Sequence, residues 1–242
     1  MKILAKVAYK GTNYLGWQRQ SDSNTIQETI EKVLSQILNT PTIIYGSGRT
    51  DAGVHAKGQT FHFEVYKNID LETFRYSCNC LLPKDIHINS LEKVDDDFHA
   101  RYSAKGKHYS YTIQLGENNP FTNEFSYNFV RPFDINKFKL AVVQFEGQFN
   151  FQDFTSKEED ERNFVRNVKV NVVSGGNIVR VDFIGDGFMR YMIRFMIGAS
   201  IAVAEGKEKL SFITEHLNNE QERKIINYKA PAEGLILEEV FY

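Results

Sequence analysis

The order of the predicted strands and helices is the feature that most constrains this chain. Apolar residues recur at strand or helix spacing in six segments of the first half, which give the order β-α-β-β-α-β over residues 3–10, 25–38, 42–45, 59–65, 71–81 and 86–94. The second half repeats that order over residues 108–115, 134–145, 168–173, 178–184, 188–205 and 235–241, with a further short helix at 210–217 before the closing strand. This arrangement is the split βαβ, or ferredoxin-like, unit, so the sequence predicts an α+β fold with two such halves.

Local signals place several element ends. Thr25 followed by Glu28 is a capping-box pattern that starts the first helix, and Pro83 stops the second. A hairpin is predicted across Gly175–Gly176, and Gly206 is predicted to end the long helix of the second half.

Composition excludes several classes of protein. The 242 residues are 42% hydrophobic and 25% charged, with a net charge of −2, which is typical of a folded globular chain and not of a disordered chain, a collagen or a coiled coil. A polyanion would therefore have to be held by a local basic patch.

Two cysteines, Cys78 and Cys80, are too few for a disulfide framework or a zinc site. The longest apolar segment, 188–204, contains two arginines and the N-terminus lacks signal-peptide features, so a cytoplasmic protein without a membrane anchor is expected.

The densest candidate motif is the glycine-rich stretch GSGRTDAGVHA at residues 46–56. It lacks the Gly-Lys-Ser/Thr of a phosphate-binding P-loop, and Asp51 and His55 lack companions at metal-ligand spacing. What remains is one carboxylate, Asp51, beside Arg49 on a loop whose glycines allow tight turns and close approach of a ligand to the backbone. Such an aspartate is a nucleophile if a cation keeps it ionised, or it only bonds its own turn, and the motif alone leaves both open.

The motif resembles the catalytic loop of the tRNA pseudouridine synthase A family. Other segments in the same order also resemble that family, namely YKGTNYLGWQRQ at 9–20, TIQ at 25–27, FHARYSA at 98–104, KHYSY at 107–111, FMRYMIRFMIG at 188–198, PAEGLIL at 231–237 and the terminal Tyr242. The chain departs from the family pattern at Phe149, where histidine is usual, and at Met189, where leucine is common.

The resemblance implies a fold and a reaction. The expected fold has two ferredoxin-like halves with antiparallel sheets around a basic cleft, residues 1–100 carrying the catalytic loop and 101–242 completing the cleft, in a homodimer. The expected reaction converts uridine to pseudouridine at positions 38, 39 and 40 in the anticodon stem-loop of tRNA, without a cofactor or metal.

The resemblance also assigns site residues. Asp51 is the catalytic carboxylate, which attacks C1′ or assists loss of the 2′ proton, and Arg194 forms an ion pair with it. Tyr109 packs on the target base, Leu235 lies on the other side of that base, and Arg49 helps to flip the nucleotide or binds a phosphate. Five further basic residues are candidates for a basic patch, namely Arg101, Lys105, Lys107, His108 and Arg190.

Two alternatives remain at this stage. The first is a non-catalytic RNA-binding protein built from RRM-like units, which share this element order but carry an aromatic string that is lacking here. The second is a small-molecule hydrolase that uses Asp51, although no partner acid, catalytic triad or metal set is visible. The acidic run at 157–161 is expected to be a solvated loop that does not contact phosphate.

Overall fold

The computed structural model describes residues 1–21, 23–156 and 163–242, so the acidic run at 157–161 lies outside the described residues. The described chain forms two compact units: unit 1 comprises Met1–Lys105 and Ile236–Tyr242, and unit 2 comprises Gly106–Leu235. Unit 2 is therefore inserted in the chain of unit 1. The sequence prediction placed 236–242 with the second half, whereas the structure groups these residues with unit 1. The predicted roles of the two halves stay predictions.

The helices and strands follow the chain in a mixed order. They are β1 (Lys2–Tyr9), α1 (Ile26–Leu38), β2 (Tyr45–Gly46), β3 (His55–Glu64), α2 (Leu71–Leu81), β4 (Ile86–Val94), β5 (Gly106–Leu115), β6 (Tyr127–Phe129), α3 (Ile135–Val142), β7 (Gly147–Asn150), β8 (Val165–Gly175), β9 (Ile178–Gly185), α4 (Met192–Ala204), α5 (Ser211–Leu217) and β10 (Leu235–Phe241). Short 3₁₀ turns occupy Val143–Phe145 and Gln152–Phe154. The predicted α+β class is confirmed. Among the described residues, no helix has the length and apolar character that crossing a membrane requires.

The sheet of unit 1 has the strand order β4-β1-β3-β10, with β2 paired to β3. Its pairs are antiparallel except that β10 runs parallel to β3, where Ile236 lies opposite His55. Strand β3 is buried on both faces over most of its length. It therefore runs through the core of unit 1, and the glycine-rich loop leads directly into its first residue.

Both helices of unit 1 begin where the sequence predicts. The Thr25 side chain accepts a hydrogen bond from the backbone of Glu28 and caps α1, as the capping pattern indicated. Asp70 caps α2 in the same way through Thr73. The prediction of helix 71–81 is confirmed at both ends, before Pro83.

The sheet of unit 2 has the order β5-β9-β8-β7, all antiparallel, with β6 parallel to β5. The predicted helix 134–145 is shorter, because the backbone tightens from α3 into a 3₁₀ turn at Val143. The prediction missed β6 and β7, which are too short for period-two patterning to show. Phe149, at the position where the family usually has histidine, lies in β7 and its ring approaches Phe151 at 6.5 Å.

Two predicted positions in unit 2 are wrong. The hairpin between β8 and β9 turns at residues 176–177, since Gly175 still pairs with Ile178. The long helix begins at Met192 and not at residue 188, because Tyr191 adopts a left-handed conformation with φ +61° that interrupts helical hydrogen bonding. Its predicted end is confirmed, as Gly206 follows the helix with φ +75°.

Candidate active site

The loop that carries Asp51 is a tight turn between β2 and β3. The Asp51 carbonyl accepts a hydrogen bond from the Val54 amide at 3.1 Å, and Gly53 supplies the positive φ of +79° that this turn requires. Asp51 is half-buried, whereas Arg49 is exposed. The loop therefore presents a carboxylate on a backbone turn of defined shape.

A second segment, residues 9–20, holds this loop from one side, and we call it the clamp segment. The Trp17 amide donates to the Thr50 carbonyl at 3.0 Å, and the Gly53 amide donates to the Tyr14 carbonyl at 3.4 Å. These bonds fix the backbone on both sides of Asp51.

Side-chain bonds strengthen this contact. The buried hydroxyl of Tyr9 lies 2.8 Å from Oγ1 of Thr50, and burial raises the pKa of Tyr9 well above its usual value, so the hydroxyl keeps its proton. Nδ1 of His55 accepts a hydrogen bond from the Gly11 amide at 3.1 Å. His55 is thus part of the contact between the clamp segment and the loop.

Glycines allow the clamp segment and the loop to touch backbone to backbone. A Cβ on Gly11 would lie 2.0 Å from the Val54 carbonyl oxygen, and a Cβ on Gly16, where φ is +90°, would lie 2.6 Å from that of Thr50. Both distances are shorter than any normal contact, so no side chain fits at either position. A Cβ on Gly46 would meet the Trp17 indole at 2.6 Å.

The other side of the loop is held by β3. The Ser47 amide bonds to the Thr60 carbonyl at 2.9 Å, and its hydroxyl bonds to Oε1 of Gln59 at 2.7 Å. Nε2 of Gln59 donates to the Gly48 carbonyl at 3.0 Å. Gln59 is fully buried, and no sequence signal had singled it out.

A chain of hydrogen bonds connects Arg49 to the interior of unit 1. Nε of Arg49 donates to Gln18, Gln18 donates to Gln27, and Gln27 donates to the buried carboxylate of Glu31, at 3.1, 2.9 and 3.0 Å. Glu31 also accepts from the Ile44 amide and forms an ion pair with Arg19 at 2.8 Å. This network orients Arg49 in the same loop as Asp51 and anchors the clamp segment to α1.

The remaining predicted site residues lie in unit 2. Arg194 is in the first turn of α4, where its Nε donates to the Ala230 carbonyl at 2.8 Å while its own carbonyl accepts from the Ala230 amide at 2.9 Å. Its guanidinium lies 5.2 Å from the centre of the Tyr191 ring. The bond to Ala230 comes from Nε of Arg194 and not from the two terminal nitrogens of its guanidinium.

The structure distinguishes two tyrosines that the alternation of β5 could not separate. Tyr111 is fully buried, and its hydroxyl donates to the Pro231 carbonyl at 2.9 Å, so it has a structural role. Tyr109 is 7% exposed and meets the ring of Phe188 edge-on at 5.3 Å. Leu235, at the start of β10, is 5% exposed. Tyr109 and Leu235 as base-contacting residues stay predictions.

The candidate basic residues are divided between the two units. Arg101 and Lys105 belong to unit 1, whereas Lys107, His108 and Arg190 belong to unit 2. Nε2 of His108 lies 2.8 Å from Oδ1 of Asp182, within hydrogen-bond distance. Within the described ranges, no three His, Cys, Asp or Glu side chains are placed to hold a metal ion.

Comparison with known proteins identifies the family. The chain matches the family model described as tRNA pseudouridine synthase over residues 5–103 and 141–242. A protein from Staphylococcus aureus (strain MRSA252) named tRNA pseudouridine synthase A is 36% identical over 248 residues, which cover 100% of this chain and 92% of that protein. A Protochlamydia amoebophila protein named tRNA pseudouridine synthase A 1 is 38% identical over 242 residues, which cover 98% of this chain and 94% of that protein.

A chain of a solved Cbf5–Nop10–Gar1 complex also matches, with a TM-score of 0.38 and 15% sequence identity. The match covers 83% of this chain and 54% of that chain. A similarity this distant adds nothing to the family assignment. The family match and the two bacterial relatives, each aligned along nearly its whole length, carry it. The chain belongs to the tRNA pseudouridine synthase family.

Proposed function

We propose that this protein converts uridine to pseudouridine in tRNA, at positions 38, 39 and 40 of the anticodon stem-loop. The observation that carries the proposal is the similarity, along the whole chain, to proteins named tRNA pseudouridine synthase A. The alternative of a non-catalytic RRM-like RNA-binding protein is not favoured by these relatives. Cytoplasmic location and a homodimer are part of the same proposal.

Asp51 is the proposed nucleophile. Its carboxylate oxygen forms a bond to C1′ of the target uridine while the N1–C1′ bond breaks and uracil leaves with the electron pair. The base then turns, C5 forms a bond to C1′, and the bond to Asp51 breaks and restores the carboxylate. C5 loses its proton and N1 gains one, so the reaction is a balanced isomerisation that consumes nothing.

The rigidity of the loop supports this role for Asp51. Attack on C1′ needs a carboxylate oxygen placed within a few tenths of an ångström, because misplacement of about 1 Å reduces such rates about 10²-fold. The clamp segment and β3 both hold the backbone around Asp51 through hydrogen bonds. A turn that only had to reverse the chain would not need this support.

Arg194 is the proposed ion-pair partner of Asp51. A neighbouring guanidinium lowers the pKa of a carboxyl group and keeps it ionised, as a nucleophile must be. The bond to Ala230 and the contact with Tyr191 hold Arg194 in one orientation on α4. Tyr109 and Leu235 are proposed to contact the two faces of the target base, since a uracil taken out of its stack needs apolar or aromatic surfaces.

The test uses unmodified tRNA transcripts that carry 5-tritiated uridine at position 38, 39 or 40 alone. Release of tritium reports loss of the C5 proton, and carbodiimide labelling with primer extension maps the product. Wild-type protein treated with EDTA is expected to release tritium from each transcript. Asp51→Asn is expected to lower the rate by roughly 10⁴-fold or more while the melting temperature and tRNA affinity stay near wild type.

The matched control is Asp97→Asn, which makes the same chemical change at an exposed aspartate of unit 1. It should keep full activity. If wild type binds tRNA tightly but releases no tritium from any transcript, the proposed reaction is wrong. If Asp51→Asn remains active, another group is the nucleophile.

A further inference from the structure

Tyr191 has an unusual backbone and unusual neighbours. It is a non-glycine residue with φ +61° and ψ 3°, a left-handed conformation that costs free energy for a side chain of this size. Its carbonyl accepts the hydrogen bond from Phe195 at 2.9 Å that opens α4. Such strain persists only where the surrounding structure enforces it, and it concentrates at functional sites.

Three cations surround the ring of Tyr191. The distances to the ring centre are 4.5 Å for Nζ of Lys229, 4.8 Å for the guanidinium of Arg190 and 5.2 Å for that of Arg194. All three are within the range of cation–π attraction. Arg190 also donates a hydrogen bond to the Tyr191 hydroxyl at 3.1 Å.

The chain segment 228–230 brings Lys229 to this ring. It lies directly against α4, where a Cβ on Gly198 would be 2.4 Å from the Tyr228 carbonyl oxygen. The Ala230 amide donates to the Arg194 carbonyl, and the Arg194 side chain donates back to the Ala230 carbonyl, which fixes the same contact. Lys229 is therefore placed by backbone packing, although its side chain is exposed.

Two of the three cations in this cluster are open to an anion from solution. Arg190 and Lys229 are both exposed, and in residues 1–21, 23–156 and 163–242 neither forms an ion pair with a carboxylate. Like charges gathered on one ring repel each other, so a bound anion stabilises the cluster. Arg194 is already assigned to Asp51 in the proposed mechanism, which leaves Arg190 and Lys229 for a ligand.

We propose that Arg190 and Lys229, held on the ring of Tyr191, bind a backbone phosphate of the RNA substrate. A phosphodiester oxygen can accept hydrogen bonds from the guanidinium and the ammonium together. Contacts of this kind set the register of the RNA on the protein and carry no sequence information. The site sits immediately before the helix turn that carries Arg194, so it would fix the RNA close to a residue of the proposed reaction. This inference rests on the proposed function.

The test compares tRNA binding across salt concentrations. In the double variant Arg190→Gln/Lys229→Gln, the Kd for unmodified tRNA should rise roughly tenfold at moderate salt. The slope of log Kd against log salt should fall by about 1, the change that loss of one phosphate contact produces. KM should rise by a similar factor, while kcat at saturating tRNA should change little. The effect should be equal for transcripts of different sequence.

A matched control and a second variant keep the outcome clear. Lys169→Gln removes a charge from an exposed lysine of β8 in the same unit and should leave the slope unchanged. Tyr191→Leu keeps both charges but removes the ring, so it should reduce affinity less than the double variant. A purely structural role would lower the melting temperature without a change in the salt slope.

Each possible result either supports or overturns the proposed phosphate site. Wild-type affinity and slope in the double variant would overturn the phosphate site, as would a weaker affinity with an unchanged slope. If wild-type protein binds tRNA and the slope changes as expected, but no tritium is released, the phosphate site stands and the proposed reaction fails. If wild-type protein does not bind tRNA, both proposals fail.

Discussion

Replacing Gly16 by alanine should displace the loop that carries Asp51 while the protein stays folded. The new Cβ would lie 2.6 Å from the Thr50 carbonyl oxygen and 3.1 Å from the carbonyl carbon of Asp51. Real Cβ atoms keep at least 3.0 Å from such atoms and normally 3.4 Å, so the peptide before Asp51 must move by about 0.4–0.8 Å. Because misplacement of about 1 Å lowers catalytic rates about 10²-fold, we expect kcat to fall by roughly 10- to 100-fold.

Two terms reduce stability in this variant. A left-handed φ of +90° costs alanine about 1–2 kcal/mol, and the clash adds about 1–3 kcal/mol. Gly116 provides the matched control, because its φ is +87° and a Cβ there meets nothing within 4 Å. Gly116→Ala therefore carries the backbone cost alone, and should lower the melting temperature by about 2–8 °C with normal kcat.

The assay is steady-state tritium release from tRNA, together with thermal unfolding of both variants. The reasoning requires Gly16→Ala to lose kcat with little change in KM, since the RNA contacts outside the loop are untouched. If Gly16→Ala and Gly116→Ala lose stability equally and both keep wild-type kcat, the position of Asp51 does not depend on the clamp segment.

Three further predictions concern the single residues Tyr9, His62 and Arg194. Tyr9→Phe removes the buried 2.8 Å bond to Thr50 and should cost about 1–2 kcal/mol, seen as a melting temperature about 2–8 °C lower. Burial, with the charges of His99 and Lys2, lowers the pKa of His62 to about 4, so the unfolded chain takes up this proton at a higher pH than the folded protein does. The free energy of unfolding should therefore fall between pH 6.5 and 4, by at most about 1.4 kcal/mol per pH unit. The variant His62→Asn should flatten that decline in acid-unfolding curves. Arg194→Lys keeps the charge but lacks the Nε bond and the planar fork, so tritium release should drop about 10²-fold with tRNA affinity unchanged.

Elements with local boundary signals could be predicted from the sequence. Helix α2 has a capping aspartate at one end and a proline just past the other, so its bounds at 71–81 are correct. The start of α4 was wrong because nothing in the four residues before it disfavours a helix. The ring of the left-handed Tyr191 contacts Lys229 from a distant segment, and such a tertiary contact leaves no local trace in the sequence.

The local sequence pattern also could not predict which strands pair with each other. Apolar alternation identifies residues 235–241 as a strand but not its neighbour, and the parallel pairing with His55 places most of β10 in unit 1. Adjacent glycines allowed the hairpin turn at either of two positions, so its placement was off by one residue.

The candidate site could be predicted in part. The glycines around Asp51 pointed to a backbone of special shape, and the structure shows such a turn. The clamp segment could not be inferred, since Gly11 and Gly16 meet residues about 35–45 positions further along the chain. Gly16 carries the sequence signal of a close approach, but only the fold shows what it approaches.

The insertion of unit 2 within unit 1 has a consequence for the order of synthesis. A ribosome makes 106–235 before Ile236–Tyr242, so the sheet of unit 1 lacks the strand beside β3 throughout the synthesis of unit 2. During that interval the edge of β3 at His55, next to the loop of Asp51, has open backbone groups that can pair with another chain. The nascent protein is therefore open to mispairing beside the loop of Asp51 until β10 pairs with that edge.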